Sequence, residues 1–303
     1  MSNTPRIAYV LLVAAAVVYG AIFSVNKMAA AAGVPPLAYG FWQSFGGGLL
    51  LWIILVLKGE RLAIGRGHVL SYLVIGALAV GIPISLLTYA APHLPAGLLT
   101  IVLALSPPLT FLLGVLARIE RFRVLGVLGL AFGFAGVLVI IGPGLSANAS
   151  DAWQWFALSL IAPLLFACSN VSAALLRPAL SSSLSMAAGM LLGSSVVLVP
   201  IMLIAGQAWL PAGAAAIVIL VAVGINAVVV VLFFEIIRMA GPTFFAQFNY
   251  LAVLAGVAWS MAIFGERLSI YFFVAMLLMF AGVFLSARGS APPVAATQDA
   301  SPS

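Results

Sequence analysis

Ile119-Glu120-Arg121 leading to Phe134-Ala135-Gly136-Val137, and Gly265-Glu266-Arg267 leading to Phe280-Ala281-Gly282-Val283, are two copies of one pattern set 146 residues apart (266 − 120 and 282 − 136). An acidic-basic pair followed in both places by F-A-G-V at one fixed distance predicts an internal duplication, against the competing reading of a chance match in an apolar chain. The same offset lays Tyr9 over Trp155, Tyr89 over Glu235, Pro95 over Gly241 and Thr100 over Ala246, so the likeness reaches weakly across most of each half.

The chain surrounding these copies is 65% hydrophobic and 6% charged, with a mean hydropathy of +1.29. Soluble domains carry charge on about a quarter of their residues, so this composition belongs to an integral membrane protein. The apolar runs lack the alternation of outer-membrane strands, which predicts helices. A net charge of +6 does not point to nucleic acid, because the cations are scattered through short connections between apolar runs. Cys168 is the only cysteine and lies in an apolar run, where it reads as a small packed residue with no disulfide partner. Arg6 precedes an apolar stretch too long for a signal-peptide core, read as a retained first helix.

Spanning a bilayer takes about twenty apolar residues. Cutting the chain at charges, Pro and Gly predicts ten spans, at roughly 6–27, 36–57, 69–90, 96–116, 124–142, 153–176, 184–205, 214–237, 243–264 and 269–287. The tail, 289–303, has no apolar period and is expected to be disordered. With ten spans, Arg6, Lys58, Arg61, Arg66, Arg118, Arg121, Arg123, Arg177, Arg238 and Arg288 share one side, and only Lys27 and Arg267 fall on the other. That imbalance predicts both termini in the cytoplasm and the protein in the cytoplasmic (inner) membrane. The two copies of the motif then follow span four on one side and span nine on the other, so the halves, 1–146 and 147–288, are inverted relative to each other. The expected fold is an all-α membrane protein with ten transmembrane helices in two inverted five-helix repeats, the architecture of secondary transporters.

These features resemble the drug/metabolite transporter superfamily, of the EamA type with ten spans. The likeness is carried by G-E-R-L at 265–268 with F-A-G-V at 280–283, their mates at 119–121 and 134–137, Tyr19-Gly20 in span one and Ser106-Pro107-Pro108 in span four. It runs through about Ser286, and within the superfamily the chain is most similar to bacterial exporters of amino acids, the aromatic ones included. The resemblance implies export of amino acids, other metabolites or drugs. The chain departs from the pattern at Tyr19, where the family has Trp, at Ile119, where it has Gly, and at Val253, where a proline is expected in span nine.

Polar groups at membrane depth are costly unless they face a cavity or a partner, so those inside spans are the candidate substrate ligands. They are Tyr39, Trp42 and Gln43 in span two, which share a face, Tyr89 in span three, Asn170 in span six, Asn226 in span eight, and Gln247 and Tyr250 in span nine. For each, an interhelical hydrogen bond is the competing role. Pro83, Pro107 and Pro163 remove backbone donors inside spans and are candidate hinges or static kinks. Glu235 and Arg238, three apart, are a candidate gate pair or an ordinary interfacial pair. Lys27 is expected to snorkel, or else to attract a substrate carboxylate. The Glu-Arg pairs are expected to cap helix ends at their corners rather than touch substrate. No Asp or Glu sits at the centre of a span, which suits a neutral or zwitterionic solute with an apolar side chain and disfavours a proton-coupled exporter of cations.

No phosphate-binding G-x-x-x-x-G-K-[ST] and no H-E-x-x-H occurs, and His68 and His93 are predicted on opposite faces. No catalytic residue, metal or cofactor is expected; the expected partners are a small-molecule substrate and the lipid bilayer. A drug or nucleotide-sugar carrier is the alternative within transport, and a lipid scramblase or membrane-embedded enzyme the alternative outside it.

Overall fold

The computed structural model describes residues 6–119, 122–139, 152–176, 182–240 and 248–289. Glu120-Arg121, Gln247 and the expected tail beyond 289 lie outside the described residues. Among those described, all regular structure is helical. In lipid a backbone can satisfy its own polar groups only within a helix or a closed barrel, and these Leu-, Val-, Ala- and Gly-rich runs take the first course.

The helices are α1 (Arg6–Ala31), α2 (Pro36–Leu57), α3 (Arg66–Ala90), α4 (Ala96–Leu116), α5 (Val124–Val139), α6 (Ala152–Ser159, resuming as Ile161–Leu175), α7 (Ser183–Ile204), α8 (Gly213–Ala240), α9 (Phe248–Phe264) and α10 (Ile270–Gly289). Seven are long and apolar enough to cross a membrane, and Val124–Val139, Leu251–Phe264 and Ile270–Gly282 are shorter apolar stretches. Where the helix ends are described, the predicted boundaries hold to a few residues; the predicted ends at 142 and 243 lie outside the described residues. The first helix continues past Lys27 to Ala31, because Met28-Ala29-Ala30-Ala31 favours one further turn.

Pro83, Pro107 and Pro163 each coincide with a local defect, whereas Pro200 lies inside an unbroken α7. A π-turn at Ala77–Gly81 precedes Pro83, a 3-10 turn at Leu103–Leu105 precedes Pro107, and the break at Leu160 precedes Pro163. In each case the proline ring displaces the carbonyl four residues back, so the preceding turn widens, tightens or opens. Helix ends show equally local causes. Gly59 (φ 73°) closes α2, with Glu60 N–H donating to the Leu55 carbonyl and Gly59 N–H to that of Val56. At the end of α4, Ile119 stands where the motif has Gly, and the left-handed position moves one residue back to Arg118 (φ 59°). A β-branched side chain resists positive φ more strongly than a linear one, at a cost of about 1–2 kcal/mol.

Chain direction alternates along the sequence, so the helix ends form two faces, called here the Lys27 face and the Arg66 face. Helix α2 packs on α7, α5 on α10, α1 on α8 and α9, α4 on α6, and α3 on α7. Lipid offers apolar groups no hydrophobic drive to associate, so close van der Waals fit holds these pairs, and small residues set it. A Cβ on Gly282 would lie 2.5 Å from the Gly129 carbonyl oxygen, and one on Gly136 would lie 2.9 Å from that of Ala275, which brings α5 and α10 backbone to backbone. The main core gathers Phe23, Tyr39, Leu87, Leu98, Phe156 and Phe272. A second cluster joins only α1, α8 and α9, through Leu12, Ala16, Val229, Ile236, Phe248 and Ala252.

Candidate functional site

Three carboxamides are buried on helices that touch: Asn26 on α1, Gln43 on α2 and Asn226 on α8, with α8 packed against both α1 and α2. Asn26, Gln43 and Asn226 are 1%, 0% and 7% exposed. Tyr39, one turn from Gln43 on α2, donates its hydroxyl to Asn26 Oδ1 at 2.8 Å. Gly47, one turn from Gln43 the other way, leaves room for Asn226, whose Cβ would be 4.0 Å from a Cβ built on the glycine.

Among the described residues, Asn26 Nδ2, both polar atoms of Gln43 and Asn226 Nδ2 have no hydrogen-bond partner. Leaving a buried polar group unpaired costs about 1–3 kcal/mol. Such groups oppose stability, which makes them the candidate site. Ser24 Oγ on α1 and Thr88 Oγ1 on α3 are also buried and unpartnered. Tyr39→Phe strips the Asn26 carbonyl of its donor as well, with an expected loss of about 1–2 kcal/mol. Thermal unfolding in detergent reads this as a lower midpoint, and an unchanged midpoint would show that the Tyr39–Asn26 bond does not hold the junction.

The other predicted residues lie apart from this junction. Trp42 turns to the connection between α7 and α8, donating Nε1–H to the Trp209 carbonyl at 2.8 Å, so it does not share Gln43's environment. The same connection reaches the start of α2, where Leu37 N–H donates to Gln207 Oε1 at 3.0 Å. Tyr89 is half exposed and sits edge-on to Trp155, on which His93 also stacks. Asn170 donates to Thr110 Oγ1 at 3.1 Å across α6 and α4. It is exposed, yet nine residues from Ile161 it lies on the opposite side of α6 from the exposed stripe of Ile161 and Leu164. It therefore faces α4, not the side of Ile161 and Leu164. The side chains of Tyr250 and Arg238 lie outside the described residues, and with the latter the proposed pairing to Glu235.

One carboxylate cross-links the Lys27 face. The Lys27 ammonium pairs with Glu266 and lies 4.7 Å from the centre of the Phe264 ring. Glu266 also accepts Ala96 N–H at Oε1 (3.0 Å) and Gly97 N–H at Oε2 (3.3 Å). The corner glutamate thus caps α4, a helix distant in sequence, where capping of a helix end at its own corner was expected. One carboxylate ties α1, α4 and the α9–α10 corner together.

The sequence profile of the EamA-like transporter family matches twice, over residues 6–142 and 153–288. The chain belongs to the EamA-like transporter family. It is accordingly a multi-pass membrane protein. An uncharacterized transporter, YvbV of Bacillus subtilis (strain 168), is 32% identical over 151 residues, which is 50% of this chain and 49% of the relative. The alignment thus spans about half the length of that protein. A solved crystal structure superposes over 92% of this chain and 95% of its own with a TM-score of 0.61 at 19% identity, a likeness of fold alone.

Within this EamA-like chain, sequence reasoning finds Gln43 and Asn226 but passes over Asn26. Lys27 marks the end of the first apolar run and so assigns its neighbour to the polar boundary. The usable signal is that Asn26 lies among Ile22, Phe23, Val25 and Ala29, all of them buried.

Proposed function

We propose that this chain exports amino acids or related neutral metabolites across the cytoplasmic membrane, by alternating access between two inverted halves of five helices. The observation that carries the substrate class is the unpartnered carboxamide set at the junction of α1 and α2 from the first half with α8 from the second. The amide N–H groups of Asn26, Gln43 and Asn226 suit a carboxylate, and Gln43 Oε1 suits an ammonium. A zwitterion supplies both and brings no net charge into a site that has none of its own.

Inverted halves are supported by the doubled family match and by the order of packing. Under the 146-residue offset, the α1–α9 pair corresponds to α6–α4, the α2–α8 pair to α7–α3, and α2–α7 and α5–α10 to themselves. Alternating access is supported by the contrast between the cross-linked Lys27 face and the exposure of Asn170 near the other end of α6. The helix defects ahead of Pro83, Pro107 and Pro163 are the proposed hinges. The concentration of Arg and Lys at the Arg66 face supports its placement in the cytoplasm.

Counterflow of labelled phenylalanine in liposomes holding the purified protein tests this. Unlabelled phenylalanine and threonine are expected to compete, and Gln43→Leu or Asn226→Leu to slow counterflow by about tenfold at unchanged yield, the equivalent of one lost hydrogen bond to a charged group. Absence of competition by either solute rejects the amino-acid reading.

A further inference from the structure

At the Arg66 face, the connection between α2 and α3 folds back on α3 and forms an open groove of about 510 Å³. Its walls are Ile64, Gly65, Arg66, Val69, Leu70 and Leu73, apolar except for the one guanidinium. The groove is preformed. Tyr72 donates its hydroxyl to the Ala63 carbonyl at 3.1 Å, and Ala63 N–H donates to Ser185 Oγ at 3.0 Å, which pins the connection to α3 and α7. Ile64 is 81% exposed, and Val69 and Leu70 are 41% and 50% exposed on the first turns of a spanning helix, so the groove opens to the bilayer at its boundary.

Charge at this boundary is one-sided. Lys58, Arg61 and Arg66 are exposed, and none of them forms an ion pair among the described residues. Glu60 is the only acid in the connection, and it accepts a hydrogen bond from the Ser182 hydroxyl. Three cations against one carboxylate leave the segment at +2 (3 − 1) beside an apolar trough. A soluble acidic ligand has no use for the trough, and a zwitterionic lipid has no net attraction to the cations.

We infer that this groove binds an anionic phospholipid, with an acyl chain along Ile64, Val69, Leu70 and Leu73 and the phosphate at Arg66, while Lys58 and Arg61 add to the local field. Each cation near a membrane surface favours an anionic headgroup by about fivefold. Three that act together therefore distinguish the site clearly from lipid-facing positions elsewhere on the molecule. The inference concerns lipid binding and does not rest on the amino-acid reading.

The test uses the full chain in nanodiscs, with a bimane fluorophore on Leu70→Cys in a Cys168→Ala background. Quenching by brominated phosphatidylglycerol is compared with quenching by brominated phosphatidylcholine at equal mole fraction. A probe on Leu277→Cys, at an exposed position on α10, serves as the reference. Position 70 is expected to favour phosphatidylglycerol at least fivefold over position 277. Sodium chloride at high concentration should weaken that preference, and Arg66→Gln should lower it further. The triple change Lys58→Gln, Arg61→Gln and Arg66→Gln should abolish it. Equal ratios at the two probes, or a ratio at position 70 that neither salt nor Arg66→Gln alters, would overturn the inference. The salt arm keeps the test decisive even where the triple variant does not fold.

Discussion

Glu266→Gln is expected to loosen the Lys27 face, raising maleimide labelling of a cysteine placed at the fully buried Ser24 by about tenfold to fiftyfold. The carboxylate holds the Lys27 ammonium and two backbone N–H groups at the start of α4 with its two oxygens. A carboxamide keeps one acceptor, loses the charge, and turns an NH2 toward groups that are themselves donors. Hydrogen bonds to charged groups are worth about 1.5–3 kcal/mol, and the side chains of Lys27 and Glu266, 26% and 11% exposed, are sheltered enough to retain most of that. Lys27→Met should have the smaller effect, because Glu266 keeps both backbone donors and stays over the positive end of the α4 dipole. Labelling unchanged in both variants would show that this carboxylate does not hold the face shut. A larger effect from Lys27→Met would assign the seal to the ion pair and not to the cap.

The same residue shows where sequence reading stops. That Glu266 serves a helix terminus is legible from its place at a short corner in a repeated motif. That the terminus belongs to α4 is not, because 170 residues separate the partners and only tertiary packing brings Ala96 within 3.0 Å. The helices themselves are readable to within a few residues where their ends are described, since in lipid an apolar run of sufficient length has one economical way to satisfy its backbone. The candidate site is half readable. Gln43 and Asn226 stand out as amides in apolar runs, whereas Trp42, three residues from Tyr39 and adjacent to Gln43, turns to the Trp209 carbonyl because its indole N–H finds an acceptor there. The displacement of the left-handed residue from Ile119 to Arg118 was likewise foreshadowed by the departure from Gly in the motif, though its direction came only from the geometry.

Gly76→Ala is expected to destabilise the protein by about 2–4 kcal/mol, a larger effect than a single methyl has at most positions. A Cβ at Gly76 would collide with the Met190 carbonyl oxygen and lie 2.8 Å from Ser194 N, both of them backbone atoms of α7. The contact is reciprocal, since a Cβ at Gly193 would meet the Tyr72 carbonyl of α3. Neither helix has a flexible side chain to move aside, so the pair must separate. Separation stretches the Ser44–Ser194 hydroxyl contact (3.0 Å) that joins α2 to α7, and with it the fit of three helices. Gly224→Ala on α8 is the matched control, because a Cβ there meets nothing within 4 Å. That change should be neutral, or stabilising by up to about 1 kcal/mol through helix propensity. Unfolding midpoints in detergent, with yield of monodisperse protein as a second readout, are expected to fall for Gly76→Ala and to hold for Gly224→Ala. Equal behaviour of the two variants would mean that α3 and α7 are not nested backbone against backbone, and that these glycines are interchangeable small residues in loosely packed helices.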